Sequence, residues 1–158
     1  GDIFTWRDAK RRMEETGCAS VMVGRWALAK PWLFREFAEE RDIELSPDER
    51  LAVVRRYVEL CRSYFGDDEK GRTRTRRFLV FHQDFFRRYR RNAAQDAVNA
   101  DDPRAWGTEP ADDLESWLCR SDLAGVNALV RWLVDGEHVE PPPLDPQSER
   151  AVKVAALG

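Results

Sequence analysis

Long hydrophobic runs and the usual signals for export are missing from this sequence of 158 residues. No apolar run approaches the roughly 20 residues that a membrane-spanning helix needs, and no signal peptide opens the chain. The three cysteines, Cys18, Cys61 and Cys119, are odd in number, widely spaced and match no zinc-binding pattern. We therefore expect reduced thiols in a cytoplasmic protein that has no membrane partner and no metal site.

Residues that commonly carry catalysis are equally scarce. The sequence contains two histidines, and His82 stands among phenylalanines, where a packed histidine is more common than a catalytic one. There is no phosphate-binding P-loop, no Ser/His/Asp set and no pair of carboxylates at a suitable spacing. The sequence therefore predicts no catalytic residue and no complete active site.

Positive charge is concentrated in one segment, although the whole chain carries a net charge of −3. Between residues 72 and 91 Asp84 is the only acid, and a helical projection places every arginine except Arg74 on one face. These arginines are Arg72, Arg76, Arg77, Arg87, Arg88, Arg90 and Arg91. The face is either simply solvated or binds RNA or DNA, because arginine suits bidentate contacts to phosphate.

The first 42 residues predict helices on either side of a short strand. Thr5 is a good N-cap for a first helix, and Gly17 is its stop signal. Residues 19–23 alternate small and β-branched side chains, which is typical of a short buried strand, and a second helix is expected over 27–40. Such units occur in parallel sheets and (β/α) barrels, although this chain has too few strands to close a barrel alone.

Residues 46–135 predict a small all-α bundle. Ser46-Pro47-Asp48-Glu49 is a strong helix start, and the apolar stripe of that helix continues to Gly66. Further helices are expected over 72–91, about 110–119 and about 122–134, before a Pro-rich tail at 136–158. The apolar stripe of the second helix, opposite the arginines, consists of Phe78, Phe81, Phe85 and Tyr89. The predicted fold class is therefore α+β.

The turn Gly24-Arg25 lies between the predicted strand and the helix that follows it. Backbone N–H groups at such a turn can bind a phosphate, but glycine also serves as an ordinary strand-to-helix junction. Asp2, just past a second predicted strand end, slightly favours the phosphate interpretation. In a parallel barrel both positions lie at the C-terminal rim, where sites assemble.

Four stretches of the sequence resemble tRNA-dihydrouridine synthases. GDI at the start and ETGCASVMVGRWALAKPWLF, ending at Phe34, are similar to the closing segment of that family's barrel, which typically carries Asn-Gly-Asp-Ile and then Met-Ile-(Gly/Ala)-Arg-Gly-Ala-Leu. LSPDERLAVVRRYVELCRSYFG and TRRFLVF resemble the eukaryotic-type branch, which modifies a variable-loop uridine. The resemblance covers residues 1–135 and is most specific over 16–37 and 72–80.

The resemblance implies the last βα units of an FMN-binding (β/α)8 barrel over residues 1–42 and a helical tRNA-binding domain over 46–135. Such enzymes reduce the C5–C6 double bond of a tRNA uridine with hydride from FMN, which NADPH reduces. By motif match, the residues expected to contact FMN are Gly1, Asp2, Gly24 and Arg25. The arginine helix matches the start of the tRNA-binding domain.

The sequence also departs from this family's pattern. Trp26 stands where members usually have glycine, and the tryptophan side chain is bulky for a phosphate turn. By the same match the family's catalytic cysteine, lysine and histidine precede residue 1, so we expect a C-terminal fragment that is inactive without its N-terminal barrel segment and belongs to a monomeric enzyme. The alternatives are a non-catalytic RNA-binding module and another FMN-dependent barrel oxidoreductase.

Overall fold

A computed structural model describes residues 3–89, 110 and 112–143 of the chain. These residues contain seven α-helices, and the last of them continues into a π-helical turn, Arg131–Asp135. The helices are α1 (Trp6–Thr16), α2 (Arg25–Ala29), α3 (Leu33–Glu39), α4 (Pro47–Phe65), α5 (Glu69–Phe86), α6 (Asp113–Leu118) and α7 (Leu123–Val130). None of the helices in these ranges is long and apolar enough to cross a membrane.

The predicted α+β fold class, with its remnant of a (β/α)8 barrel, is wrong: no described residue forms a β-strand. Residues 19–23, the expected strand, have no regular secondary structure, and Met22 in their middle is 84% exposed. A strand is stable only where neighbouring strands accept its hydrogen bonds. Within the described ranges no strand is available to pair with this segment, so its β-type pattern is not realised.

The chain divides into two compact units. The described residues of the first unit are 3–45 together with Arg88 and Tyr89, and those of the second are 46–87, 110 and 112–143. Each unit has its own buried residues; among the described residues the first has one buried ion pair, Lys30–Glu36, and the second has two, Arg50–Glu115 and Arg120–Asp122.

Helix α1 in the first unit has the termini that the sequence predicts. The Thr5 hydroxyl accepts a hydrogen bond from the Asp8 backbone N–H at 3.0 Å, and the Asp8 carboxylate accepts one from the Thr5 N–H at 3.0 Å. This reciprocal capping box satisfies two donors that a helix start leaves free. At the other end Gly17 adopts the left-handed conformation, with φ of 69°, that favours glycine.

The helix expected over 27–40 is instead two short helices, α2 and α3. Pro31 lies between them and has no backbone N–H to continue a helix. The junction is held by a buried ion pair, in which Lys30 Nζ lies 2.6 Å from Glu36 Oε2. The other carboxylate oxygen of Glu36 accepts a hydrogen bond from the Ile43 N–H at 2.8 Å, so one buried acid fixes both the junction and the segment after α3.

The second unit is built around the helix pair α4 and α5. Ser46 and Glu49 form the predicted capping box of α4, and the connection to α5 depends on a close backbone approach at Gly71. A Cβ added to Gly71 would lie 2.1 Å from the Gly66 carbonyl oxygen, closer than real Cβ contacts. Only glycine therefore fits at this point of the α4–α5 connection.

Two buried polar contacts attach α6 to this helix pair. Arg50 on α4 and Glu115 on α6 are almost completely buried, and their Nη1 and Oε1 atoms are 2.8 Å apart. Gln83 Nε2 on α5 donates a hydrogen bond of 2.6 Å to the Leu118 carbonyl oxygen. Charges removed from water are tolerated only with such partners, so these contacts specify where α6 packs.

The π turn after α7 meets arginines from both long helices. Arg62 on α4 donates a hydrogen bond to the Val134 carbonyl oxygen, and Arg76 on α5 forms an ion pair with Asp135 at 2.7 Å. Trp132 in the same turn stacks on Trp117 of α6, with ring centroids 5.1 Å apart and an interplanar angle of 8°. The end of the bundle is therefore closed by polar and aromatic contacts together.

Candidate functional site

Helix α5 buries a different face from the one predicted. The buried positions are Thr75, Leu79, His82, Gln83 and Phe86, which recur at the three- and four-residue spacing of one helical face. Phe78 and Phe81, predicted to pack in the core, are 48% and 54% exposed. Leu79 and Phe86, beside that stripe, have no exposed surface and fill the core instead.

Three of the predicted RNA-binding arginines have acidic partners within the second unit. Arg72 Nε lies 3.2 Å from an Asp67 carboxylate oxygen, and Arg87 lies 2.9 Å from Asp84. Arg76 contacts Asp135 at 2.7 Å and Glu69 at 3.0 Å. Apart from Asp84, these acids lie outside residues 72–91, just before or at the start of α5 and in the π turn.

Hydrogen bonds that Arg76 donates to two of these acids, Asp135 and Glu69, favour its charged form. The bond to Asp135, and then the bond to Glu69, raise the pKa of the Arg76 guanidinium above its ordinary value. A guanidinium engaged on two sides has fewer N–H groups left for an external phosphate. The main role of Arg76 is therefore to attach the π turn to α5, and its guanidinium is less available to a ligand.

Arg74 and Arg77 differ from these paired arginines. Both are exposed, and neither has an ion pair within the described ranges. Helical spacing places Arg77 next to Phe81 and Arg74 next to Phe78, four residues apart in each case. The outward face of α5 therefore combines two unpaired positive charges with two exposed aromatic rings.

Three further arginines belong to the predicted RNA-binding set: Arg88, Arg90 and Arg91. Arg88 is half-buried. Arg90 and Arg91 lie outside the described residues, as do Gly1 and Asp2.

The Gly24-Arg25 turn is open to solvent. Gly24 is the N-cap of α2, both residues are exposed, and a Cβ added to Gly24 would meet no atom within 4 Å. The first N–H groups of a helix have no intrahelical acceptor, and the Arg25 guanidinium is available beside them. The turn therefore presents backbone N–H groups and one positively charged side chain to solvent.

Trp26 does not obstruct this turn. Its side chain is buried, and its ring meets the Phe4 ring edge-to-face with centroids 5.2 Å apart. Such aromatic pairs stabilise the packed state beyond the area they bury. The ring therefore anchors α2 from the inside, and the exposed side of the turn is formed by Gly24 and Arg25.

Comparison with known proteins identifies the family. The dihydrouridine synthase (Dus) family model matches residues 1–109. The chain belongs to the dihydrouridine synthase family. The match includes α1 to α5, and so both the Gly24-Arg25 turn and the arginine helix.

Individual relatives agree with this assignment. A tRNA-dihydrouridine(47) synthase [NAD(P)(+)] from Malassezia globosa is 34% identical over 148 residues, which are 87% of this chain and 19% of that protein. A tRNA-dihydrouridine(47) synthase [NAD(P)(+)]-like protein from Mus musculus is 44% identical over 89 residues, 56% of this chain and 14% of that protein. A probable tRNA-dihydrouridine synthase from Aquifex aeolicus is 44% identical over 69 residues, 44% of this chain and 22% of that protein.

The chain thus spans about a fifth or less of the length of these curated relatives. No solved structure matches it significantly. The resemblance to tRNA-dihydrouridine synthases that the motifs indicate is confirmed, whereas the roles of individual residues stay predictions.

Two features of this dihydrouridine synthase segment differ from the sequence prediction. The helical projection sets Arg74 apart from the arginine face and assigns Phe78 and Phe81 to the apolar stripe, whereas all three are exposed. The signal that could have found them is the heptad pair Leu79 and Phe86, which with Thr75 defines an alternative buried face.

Proposed function

We propose that this chain is part of an enzyme that reduces a tRNA uridine to dihydrouridine, and that its helical unit contacts the tRNA. The observation that carries the proposal is the family match over residues 1–109, supported by the names of the relatives. Those names specify position 47, so the proposed substrate is the uridine at that position in the variable loop. They also specify NAD(P)+, in agreement with NADPH as the reductant.

The proposed tRNA surface is the arginine-rich outward face of α5. Arg77, together with Arg74, is exposed and has no acidic partner in the described ranges, so a phosphate can bind to it without first displacing a carboxylate. Arg72, Arg76 and Arg87 contribute to the local positive potential but are already engaged with acids. We therefore expect the two arginines without acidic partners to contribute more to tRNA binding than the three that are already paired.

The proposed flavin contact in this chain is the Gly24-Arg25 turn. FMN, when bound, supplies the hydride that reduces the uridine. Gly24 and Arg25 would hold its phosphate through backbone N–H groups and the guanidinium. The support is the motif resemblance together with the open, exposed geometry of the turn.

The main test maps dihydrouridine in tRNA. The full-length protein that carries this chain is incubated with an unmodified tRNA transcript, FMN and NADPH, and nucleoside mass spectrometry locates any uridine that gains two hydrogens. We expect the gain at position 47, and we expect the 158 residues alone to bind the transcript without reducing it. Reduction at another position alone would contradict the proposed substrate, and absence of any dihydrouridine would contradict the proposed activity.

The arginine ranking has its own test. Replacing both Arg74 and Arg77 by glutamine should weaken tRNA binding and lower the slope of log affinity against log salt by about two, roughly one unit per phosphate contact. Arg12→Gln, on an exposed position of α1 in the first unit, is the matched control and should leave the slope unchanged. An unchanged slope in the double variant would mean that this face is only solvated.

A further inference from the structure

The exposed rings of α5 are the feature that the proposed phosphate contacts leave unexplained. Phe78 and Phe81 expose about half of their side chains, although a phenylalanine on a long amphipathic helix usually packs inside. Tyr64, near the end of α4, is 84% exposed. Aromatic surface of this extent in water is costly unless something covers it during function.

Neighbouring rings hold these side chains in place. Phe78 stacks on Phe65 with centroids 5.1 Å apart and an interplanar angle of 27°, and 48% of Phe78 remains exposed. Phe81 meets Phe85 at 5.3 Å with an angle of 63°. Rings that are supported on one side lose little rotational freedom when a flat group stacks on the other side.

The charges beside the rings favour a polyanion over a protein partner. Arg74 and Arg77 lie one helical turn before Phe78 and Phe81, and they have no acidic partner in the described part of the chain. A protein covering this surface would have to desolvate two unpaired guanidinium groups, which is unfavourable without matching acids. A second copy of this chain would bring the same positive charges to the interface.

Ring exposure also distinguishes unpaired from paired RNA. In an A-form duplex the faces of the bases are occupied by their neighbours, so a protein ring cannot stack on them. Unpaired nucleotides offer a free base face next to a phosphate, which is the combination of an exposed ring and an arginine that α5 presents.

We propose that Phe78 and Phe81 stack on unpaired bases of the bound tRNA while Arg74 and Arg77 bind the adjacent phosphates. This inference deepens the proposed function and depends on the tRNA contact of the helical unit. It assigns base stacking to the two rings and salt-dependent binding to the two arginines, so the two contributions are separable by experiment.

The experiment compares two double variants of the 158-residue chain, Phe78→Leu/Phe81→Leu and Arg74→Gln/Arg77→Gln. Binding is measured by fluorescence anisotropy at several salt concentrations with three probes: an unmodified tRNA transcript, an unstructured RNA oligonucleotide and a blunt RNA duplex of the same length. Leucine keeps the apolar volume but removes the flat ring. Because both positions are exposed, circular dichroism should be unchanged.

The leucine variant should bind the tRNA and the unstructured oligonucleotide about tenfold or more weaker, since stacking on each ring is lost. Its salt slope and its affinity for the duplex should stay unchanged. The glutamine variant should instead lose slope with all three probes. The matched control is Phe34→Leu, because Phe34 is 55% exposed on α3 in the first unit and should not alter RNA binding.

Three outcomes would overturn the inference, and they differ in meaning. If the wild-type chain does not bind tRNA, the proposed tRNA contact of the helical unit fails and the stacking inference fails with it. If wild-type and leucine variant bind tRNA equally, only the stacking inference fails. If sedimentation shows that the leucine substitutions convert a dimer to a monomer without loss of RNA affinity, the rings form a protein interface instead.

Discussion

The two units of this chain are stabilised by different kinds of contact. In the first unit the helices are short, and the segment between α1 and α2 has no regular structure, so its conformation depends on caps, Pro31 and the Lys30–Glu36 pair. In the second unit two helices of 19 and 18 residues pack along each other, and buried polar side chains fix the shorter elements on them. The second unit therefore relies on buried polar contacts between residues far apart in sequence, whereas the first combines local caps with contacts such as Phe4–Trp26 and Arg7–Asp42.

The largest loss of stability should come from breaking the buried Arg50–Glu115 ion pair of the second unit. Arg50→Met leaves the Glu115 carboxylate buried without its partner, at a cost of about 3–5 kcal/mol in the free energy of unfolding. Urea unfolding followed by tryptophan fluorescence measures this cost, because Trp117 lies on the same helix as Glu115. The double variant Arg50→Met/Glu115→Leu should recover most of the loss, and a single variant as stable as wild type would contradict the role of the pair.

A pair of glycine substitutions compares the units directly. Gly71→Ala in the second unit forces a Cβ against the Gly66 carbonyl and should cost about 2–3 kcal/mol, the range of overpacked sites. In Gly17→Ala, in the first unit, the added Cβ meets no atom within 4 Å. Only the positive φ then lowers the free energy of unfolding, by about 1 kcal/mol. Thermal unfolding of both variants gives the order. A larger loss for Gly17→Ala would reverse the contrast between the units.

The smallest effect concerns acid sensitivity of the second unit. Burial alone raises the pKa of Asp122, but hydrogen bonds from Arg120 and from the Gly125 N–H outweigh it, so the pKa lies below its ordinary value of 3.8. A lowered folded-state pKa adds stability that is present above pH 3.8 and is lost as the pH falls through the folded value. Asp122→Asn keeps an N-cap residue but replaces charge-assisted hydrogen bonds from buried Arg120 by neutral ones, so it should cost about 1–2 kcal/mol at pH 6.

The same variant should cost less at pH 3, where the wild type has begun to lose the contribution. Unfolding free energies at the two pH values test this difference. Asp68→Asn, at the N-cap of α5, is the matched control, because the Asp68 side chain caps Gly71 without a buried arginine. Equal losses at both pH values for Asp122→Asn would show that its charge is not involved.

Local signals in the sequence predicted helix termini well. Thr5 with Asp8, and Ser46 with Glu49, form the expected capping boxes, because a cap involves residues only three positions apart. The stop at Gly17 is equally local. Such features depend on neighbours along the chain and can be read without knowing the fold.

Features that depend on distant partners were not predictable in this way. The strand expected at 19–23 needs hydrogen-bond acceptors that no local pattern supplies. Leu79, rather than Phe78, fills the core of the second unit because α4 and α7 lie on that side, which one helix's composition does not indicate. The acids that pair with Arg76 are 7 and 59 residues away in sequence, so a count of charges between residues 72 and 91 includes neither of them.

The candidate site was predictable to a similar degree. The arginine cluster and the Gly24-Arg25 turn are visible as residue types in order, and the family resemblance follows from the same stretches. The inward orientation of Trp26 depends on Phe4, and the absence of an acidic partner for Arg74 and Arg77 among the described residues depends on where the acids of other elements lie. Those properties require coordinates.

The π turn at the end of α7 has a consequence for how the chain tolerates changes in length. A π turn contains one residue more than the α-helical ladder needs, and so it rotates everything after it by about 100° relative to an uninterrupted α-helix. Asp135 is the last residue of this turn, and it pairs with Arg76 from that position. Removing a single residue between Arg131 and Asp135 would restore an ordinary helix and turn the carboxylate away, so here a deletion would regularise the helix and loosen the bundle.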